Sequence, residues 1–305
     1  MTTKKTLLLS LSLLVSAGLI WAIDYFLGWS KLVAPWASLS AFDALLALSL
    51  LISSYAIRAT RIYQHFYMHG IRDFLISARL MVLHNFWNNL LPMRSGEASF
   101  PLLMKTNFGM PVSTSVPALL WMRLMDLQVL LLIALLTLGS IWLSIGWIIA
   151  FAIAGLSAPF MLFWVYHHWL RKRQDLPPIL IKIFAGLPDS IRHIGWGLFW
   201  TVFNWLIKIA VLAWVLSWFI QLPIQQLLMG VIGGEFSSVL PIHGVAGMGS
   251  YEAGVIIGFG DGFTQLDDLL VAAVNLHLIL FGSSLLAAAL VYLIFPSKKN
   301  ENAQK

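Results

Sequence analysis

Long runs of apolar residues, repeated from one end of the chain to the other, limit what it can fold into. Residues 141–169 contain no Lys, Arg, Asp or Glu, and residues 7–27 contain only Asp24. About 20 apolar residues carry a helix through the ~30 Å hydrocarbon core of a bilayer. A soluble domain carries roughly 25% charged residues; here the charged fraction is 10%, the hydrophobic fraction 59% and the mean hydropathy +0.84. The chain therefore reads as an all-α polytopic membrane protein. Its 14 Trp, 19 Phe and 7 Tyr suit anchoring at two water–lipid interfaces. The absence of cysteine excludes disulfides and thiol-based metal sites or nucleophiles. The net charge of +6 points to membrane orientation and not to nucleic acid, because the basic residues gather at the ends of apolar runs.

Full spans are predicted at about 7–27, 42–62, 115–138, 141–169, 198–220 and 269–295. The first is expected to be an uncleaved helix and not a signal peptide, because its apolar run continues past Val15-Ser16-Ala17. The stretch 176–195 is amphipathic and reads either as an interfacial helix or as a simple cytoplasmic loop. Residues 297–305 form a short polar tail, so 1–296 is expected to be a single transmembrane domain. Lysine and arginine collect on the cytoplasmic side. That rule places Lys4 and Lys5, the basic stretch from Arg58 to Arg72, Arg171 to Arg173, and Lys298 and Lys299 inside, with both termini cytoplasmic. The localisation expected is the cytoplasmic (inner) membrane.

Two stretches break the apolar pattern in parallel ways. The first runs Asn88-Asn89-Leu90-Leu91-Pro92-Met93-Arg94-Ser95-Gly96-Glu97. The second runs Ser237-Ser238-Val239-Leu240-Pro241-Ile242-His243-Gly244 and on through Gly247, Gly249 and Glu252. Each has small polar residues, an aliphatic pair, a proline, a cationic or titratable residue, then glycine and glutamate. The charge topology requires 74–109 and 227–259 each to return to the side it left. Two re-entrant hairpins in inverted arrangement meet that requirement, with tips at Pro92, Gly96, Pro241, Gly247 and Gly249. Broken helices entering from opposite faces are how many transporters build a central site. Ordinary helix pairs with tight polar turns are the alternative.

The charged residues inside these segments carry the chemistry. Arg94 and Glu97 flank Gly96, and Arg123 and Asp126 lie three apart on one helical face. Each charge costs about 2.5–3.5 kcal/mol at the centre of a spanning helix. Four left unpaired cost on the order of 10 kcal/mol, comparable to a domain's net stability. They are therefore paired or face a wet cavity. An interior ion-pair network is one reading. An arginine left to meet an anionic headgroup, for which its planar fork is suited, is the other. His243 is the second-tip counterpart of Arg94, and Glu235 and Glu252 flank that tip. Lys208, Asn204 and His277 read as isolated polar residues explained by packing or snorkelling. No phosphate loop, nucleophile elbow or metal-ligand spacing is present, so neither an enzyme nor a cofactor is expected.

Asn89-Leu90-Leu91-Pro92 with Arg94, Gly96 and Glu97, followed by Arg123 and Asp126, resembles the first signature of the lysylphosphatidylglycerol synthase transmembrane-region family. Leu240-Pro241-Ile242 with Gly247, Gly249 and Glu252 resembles its second. The pattern departs after Glu97, where Ser99-Phe100-Pro101 precede the next basic residue, Lys105. The resemblance implies a domain like the flippase half of the multiple peptide resistance factor, which moves aminoacylated phosphatidylglycerol between leaflets. Without an aminoacyl-transferase domain the chain is expected to be a stand-alone member that does not make lysyl-lipid. The expectation is a flippase or scramblase-like transporter of an anionic or phosphate-bearing lipid, with Arg94, Glu97, Arg123, Asp126, His243 and Glu252 at the substrate site. The alternatives are a non-catalytic accessory protein for a membrane lipid- or glycan-modifying enzyme, and an intramembrane enzyme working through Glu97 or Glu252.

Overall fold

The computed structural model describes residues 28–173, 186–239, 245–260 and 266–294, with isolated positions between 21 and 25 and between 177 and 184. The side chains of Met68, Pro92, Met93, Arg94, Ser140 and Val245 lie outside that description, as do the expected first span and residues 240–244. A short lead-in helix, Trp29–Val33, passes through a 3-10 turn, Ala34–Ser38, into α1, Ala41–Phe66. Then follow α2, Phe74–Leu90, α3, Ser99–Phe108, α4, Val112–Trp142, and α5, Ile145–Val165. The remaining helices are α6, Ile191–Leu216, α7, Ile224–Val239, α8, Ser250–Phe259, and α9, Leu266–Ile294. Among the described residues there is no strand.

Local chemistry sets the helix ends. Ser40, Asp73 and Ser190 each accept the backbone N–H three residues on, capping α1, α2 and α6. α2 stops at Leu91, which Pro92 forces out of the helical region to ψ 137°. α1 does not stop at its arginines. It runs to Phe66, continues as a 3-10 turn through His69, and ends at Gly70 in the left-handed conformation with φ 91°.

Among the described residues, five helices are long and apolar enough to cross a membrane: Ala41–Phe66, Val112–Gly139, Ile145–Leu170, Ile191–Leu216 and Leu266–Ile294. They correspond to the second to sixth predicted spans, with shifted ends. The largest shift is at α6, which begins at Ile191, so the last residues of the amphipathic stretch 176–195 belong to a long helix. α5 shows how lipid is faced: only Ile148 and Pro159 are buried, while Ile145, Trp147, Ile149, Phe151 and Ile153 are exposed. In lipid no hydrophobic force gathers such helices, so packing and polar pairing must.

The two interrupted regions form helical hairpins. The first comprises α2, a 3-10 turn, Pro92–Ala98, and α3. The second comprises α7, a tip carrying the 3-10 turn Val245–Gly247, and α8. α7 and α8 lie antiparallel with their backbones in close contact. A Cβ on Gly233 would meet the carbonyl of Gly254, and one on Gly258 the carbonyl of Met229. At the first tip, a Cβ on Gly96 would strike the end of α2 at Trp87 and Asn88. The turn Pro92–Ala98 touches the turn Val245–Gly247, so the hairpins meet tip to tip. α1, α4, α6 and α9 pack around them.

Candidate functional site

The hairpins and surrounding helices enclose a polar cavity of about 60 Å³. Arg58, Asn85, Arg123, Asp126, Lys208 and Glu235 are among the residues that line it. A single water needs roughly 10–15 Å³ measured this way, so the cavity holds a few waters or a small polar group.

Asp126 is the anchor of the charged wall. It is 2% exposed and accepts a fork from Arg61, Nη1 to Oδ1 at 2.6 Å and Nη2 to Oδ2 at 3.1 Å. Trp205 Nε1 donates to Oδ1 at 3.3 Å, and Arg123 Nη1 stands 3.6 Å from Oδ2. Arg61 also donates to Thr201 Oγ1 at 2.8 Å, which ties α1, α4 and α6 together. Two parallel charge-assisted bonds are the strong form of an arginine–carboxylate contact.

Arg123 joins this wall to the first tip. Its Nη2 lies 2.9 Å from Glu97 Oε1 and 3.3 Å from His84 Nε2. His84 Nδ1 lies 2.9 Å from Ser99 Oγ, at the start of α3. Also at the cavity, Lys208 Nζ lies 2.6 Å from Glu235 Oε2, while Glu235 Oε1 is buried without a hydrogen-bond partner.

Arg58 differs from these. It is 9% exposed and lines the cavity, and Nη1 donates to the neutral Asn85 Oδ1 at 2.9 Å. Its Nε is buried and unbonded, and among the described residues no carboxylate stands within 4 Å of it. Among the described side chains at this cavity, Asp126 pairs with Arg61, Glu97 with Arg123 and Glu235 with Lys208, whereas Arg58 is bound to an amide.

The structure brings Glu97, Arg123 and Asp126 into one network, as the i,i+3 spacing and the tip motif anticipate. Glu252 lies apart from it. One of its oxygens accepts the Gly249 backbone N–H at 2.7 Å, capping α8, and the other lies 2.7 Å from His277 Nδ1. Gly249 holds φ 82°, a conformation that suits residues without a Cβ. The backbone of Arg94 lies in the first tip, but its side chain falls outside the described residues, as do His243 and Pro241.

Two polar residues read from sequence as incidental, Lys208 and His277, prove otherwise. Lys208 and Glu235 form a pair at the cavity, and His277 pairs with Glu252. Arg58 and Arg61 were expected at a cytoplasmic helix exit, whereas both are buried in the bundle. The signal that places them correctly is Gly70, the left-handed helix stop nine residues past the second arginine.

The network joins the tip motif to the Arg123–Asp126 pair, the two parts of the first signature. The profile of the family described as the lysylphosphatidylglycerol synthase TM region matches residues 9–288. The chain belongs to that family. No curated protein and no solved structure matches it. As a member of the lysylphosphatidylglycerol synthase TM region family with several apolar helices, it is a multi-pass membrane protein connected with lipid. Among the described residues no group of His, Asp and Glu is placed to hold a metal ion.

Proposed function

We propose that this protein is a flippase- or scramblase-like transporter of the cytoplasmic membrane, moving a phosphate-bearing, anionic lipid between leaflets. The observation that carries this reading is Arg58, a buried cation at a cavity wall whose described partner is neutral. A buried positive charge with a neutral partner, beside a wet intramembrane cavity, is stabilised by an incoming anion, and a guanidinium fork matches a phosphate's oxygens.

Glu97 supplies the coupling. It holds the first tip to Arg123. A headgroup phosphate competes with the Glu97 carboxylate for that guanidinium and so releases the tip. Only such differential contact lets a ligand shift a conformational equilibrium. Arg94, on the tip turn, receives the phosphate as it enters. The hairpins are re-entrant and enter from opposite faces. Their second arms support this: ten residues make a helix of about 15 Å, half the ~30 Å hydrocarbon core. The lipid tails remain in the bilayer while the headgroup passes between the tips. No bond is made or broken, so the protein is not an enzyme.

The test is movement of fluorescently labelled phosphatidylglycerol, phosphatidylcholine and a polyprenyl phosphate across vesicles holding the purified protein. Selective movement of an anionic lipid, lost in Arg58→Gln and Arg94→Ala proteins that stay monodisperse, is the expected result. Unchanged movement in the folded Arg58→Gln protein overturns the site. No movement of any lipid, with a membrane enzyme co-purifying at equal stoichiometry, would favour the accessory role.

A further inference from the structure

Two arginines one helical turn apart on α1 meet their partners in different ways. Arg61 donates from both Nη atoms to the carboxylate of Asp126. Arg58 donates from Nη1 to the amide oxygen of Asn85, on α2, at 2.9 Å. A guanidinium can only donate, so the Asn85 atom that meets it is Oδ1 and not Nδ2. Nδ2 then points to α9, where Ser284 Oγ accepts from it at 3.4 Å. The preceding residue of α9, Ser283, bonds Tyr55 of α1, Oγ to Oη at 3.3 Å. Tyr55 lies one turn before Arg58 and lines the same cavity.

Two consecutive serines of α9 therefore hold α1 and α2 at the level of Arg58. Tyr55, Asn85, Ser283 and Ser284 are each 7% exposed or less, so protein groups and not bulk water order the contact. A carboxylate in place of the Asn85 amide would make with Arg58 the two-bond fork that Asp126 makes with Arg61. An aliphatic side chain would leave a buried N–H without its acceptor. An amide does neither. It offers Arg58 one oxygen, engages one Nη, and leaves the charge in place.

We propose that Asn85 is a positioning residue for anion binding: it holds Arg58 at the cavity wall without neutralising it, and Ser284 fixes the orientation of its amide. This rests on the transport reading above. An incoming phosphate needs a positive charge to pair with and N–H groups to receive. Asparagine preserves both for the ligand, whereas aspartate, of almost the same shape, would occupy both. A carboxylate there would also repel the phosphate directly, and more strongly than in water because the site is buried. The choice of an anion as ligand is thus made by an uncharged side chain on α2, one that α9 holds in register.

Calorimetric binding of dihexanoyl phosphatidylglycerol to the purified full chain in detergent tests this. Asn85→Asp is expected to weaken binding about 10- to 100-fold, the scale of hydrogen bonds to a charged group. Its thermal midpoint should stay at or above that of the wild type. Asn85→Ser keeps a neutral oxygen. It should bind less well than the wild type and at least about tenfold more tightly than Asn85→Asp. Ser284→Ala, which removes only the acceptor behind the amide, should weaken binding about two- to tenfold. Unchanged binding in Asn85→Asp overturns the proposal. So does equal loss in Asn85→Ser and Asn85→Asp, because the neutral oxygen would then not matter, and so does wild-type binding in Ser284→Ala. A loss in Asn85→Asp that comes with a fall in thermal midpoint assigns Asn85 to the fold and not to the ligand. Glycerol 3-phosphate, run alongside, distinguishes a lipid headgroup from a soluble phosphate. Vesicles holding the same proteins separate this from the transport reading. A wild type that binds lipid but moves none defeats transport alone, whereas Asn85→Asp moving lipid as fast as the wild type defeats the role of Asn85 alone.

Discussion

Arg61 and Arg58 lie one helical turn apart on α1, yet breaking the contacts of each should have different consequences. Arg61 is neutralised by a two-bond fork to Asp126, and both side chains are buried. Asp126→Ala leaves Arg61 charged and unpaired in the bundle. Breaking a buried pair in this way costs about 3–5 kcal/mol, so the variant should lose a large part of its thermal stability in detergent, with poor recovery of monodisperse protein. Arg58→Gln strands no carboxylate, because the group that loses a bond is the amide of Asn85. Its thermal midpoint should stay near wild type while lipid movement is lost. Equal stability of the two variants would show that the network does not divide into holding and binding arginines. Of this chemistry the sequence made Arg123 and Asp126 legible, since i,i+3 spacing puts them on one face. It did not make Arg58 and Arg61 legible. Arginines near the end of an apolar run look like a cytoplasmic exit, and only the continued helix to Gly70 carries them inside.

At the scale of elements, the second hairpin depends on a seam rich in glycine. On α7, Gly233 faces Gly254 and Gly258 of α8, Gly230 faces the ring of Phe259, and Gly234 faces Val255 and Tyr251. Small residues are what allow helix backbones to approach closely where lipid supplies no driving force. A Cβ on Gly233 meets backbone, which cannot swing away. Gly233→Ala is therefore expected to cost about 1–3 kcal/mol by overpacking, more than the ~1 kcal/mol of helix propensity that alanine returns. Gly282, on α9, has open space where its Cβ would go. There Gly282→Ala should leave stability unchanged or raise it by up to about 1 kcal/mol. Thermal melts of the two proteins, side by side, check the seam; a Gly233→Ala protein as stable as the wild type would mean that the hairpin arms are not held by close approach. The glycines themselves are visible in the sequence, but their facing register is not, because it depends on how the chain turns at a tip of irregular backbone.

Taken whole, the molecule closes two hairpins of separate sequence origin onto each other, and their meeting encloses the cavity. The protein has no cysteine, so introduced pairs can be read without background. Cysteines placed singly from Ser95 to Ala98, each combined with Ala246→Cys, should be joined by a short dithiol-reactive linker in at least one register. If headgroup passage requires the tips to part, the linked protein will stop moving lipid and reduction of a cleavable linker will restore it. Full activity while linked would show that the tips need not separate. By itself the sequence determined the membrane class, the positions of the long apolar helices and the two polar breaks. Those follow from local physics: apolar runs of bilayer length, and prolines and glycines that cannot continue a helix. Only the tertiary structure decided which charges share a cavity. Arg61 with Asp126, Lys208 with Glu235 and His277 with Glu252 are paired across 65, 27 and 25 residues. Charge pairing across a bundle is set by helix rotation and packing, which no local pattern records. In a low-dielectric interior the partner that packing supplies decides whether a cation holds the fold or is left to meet a ligand.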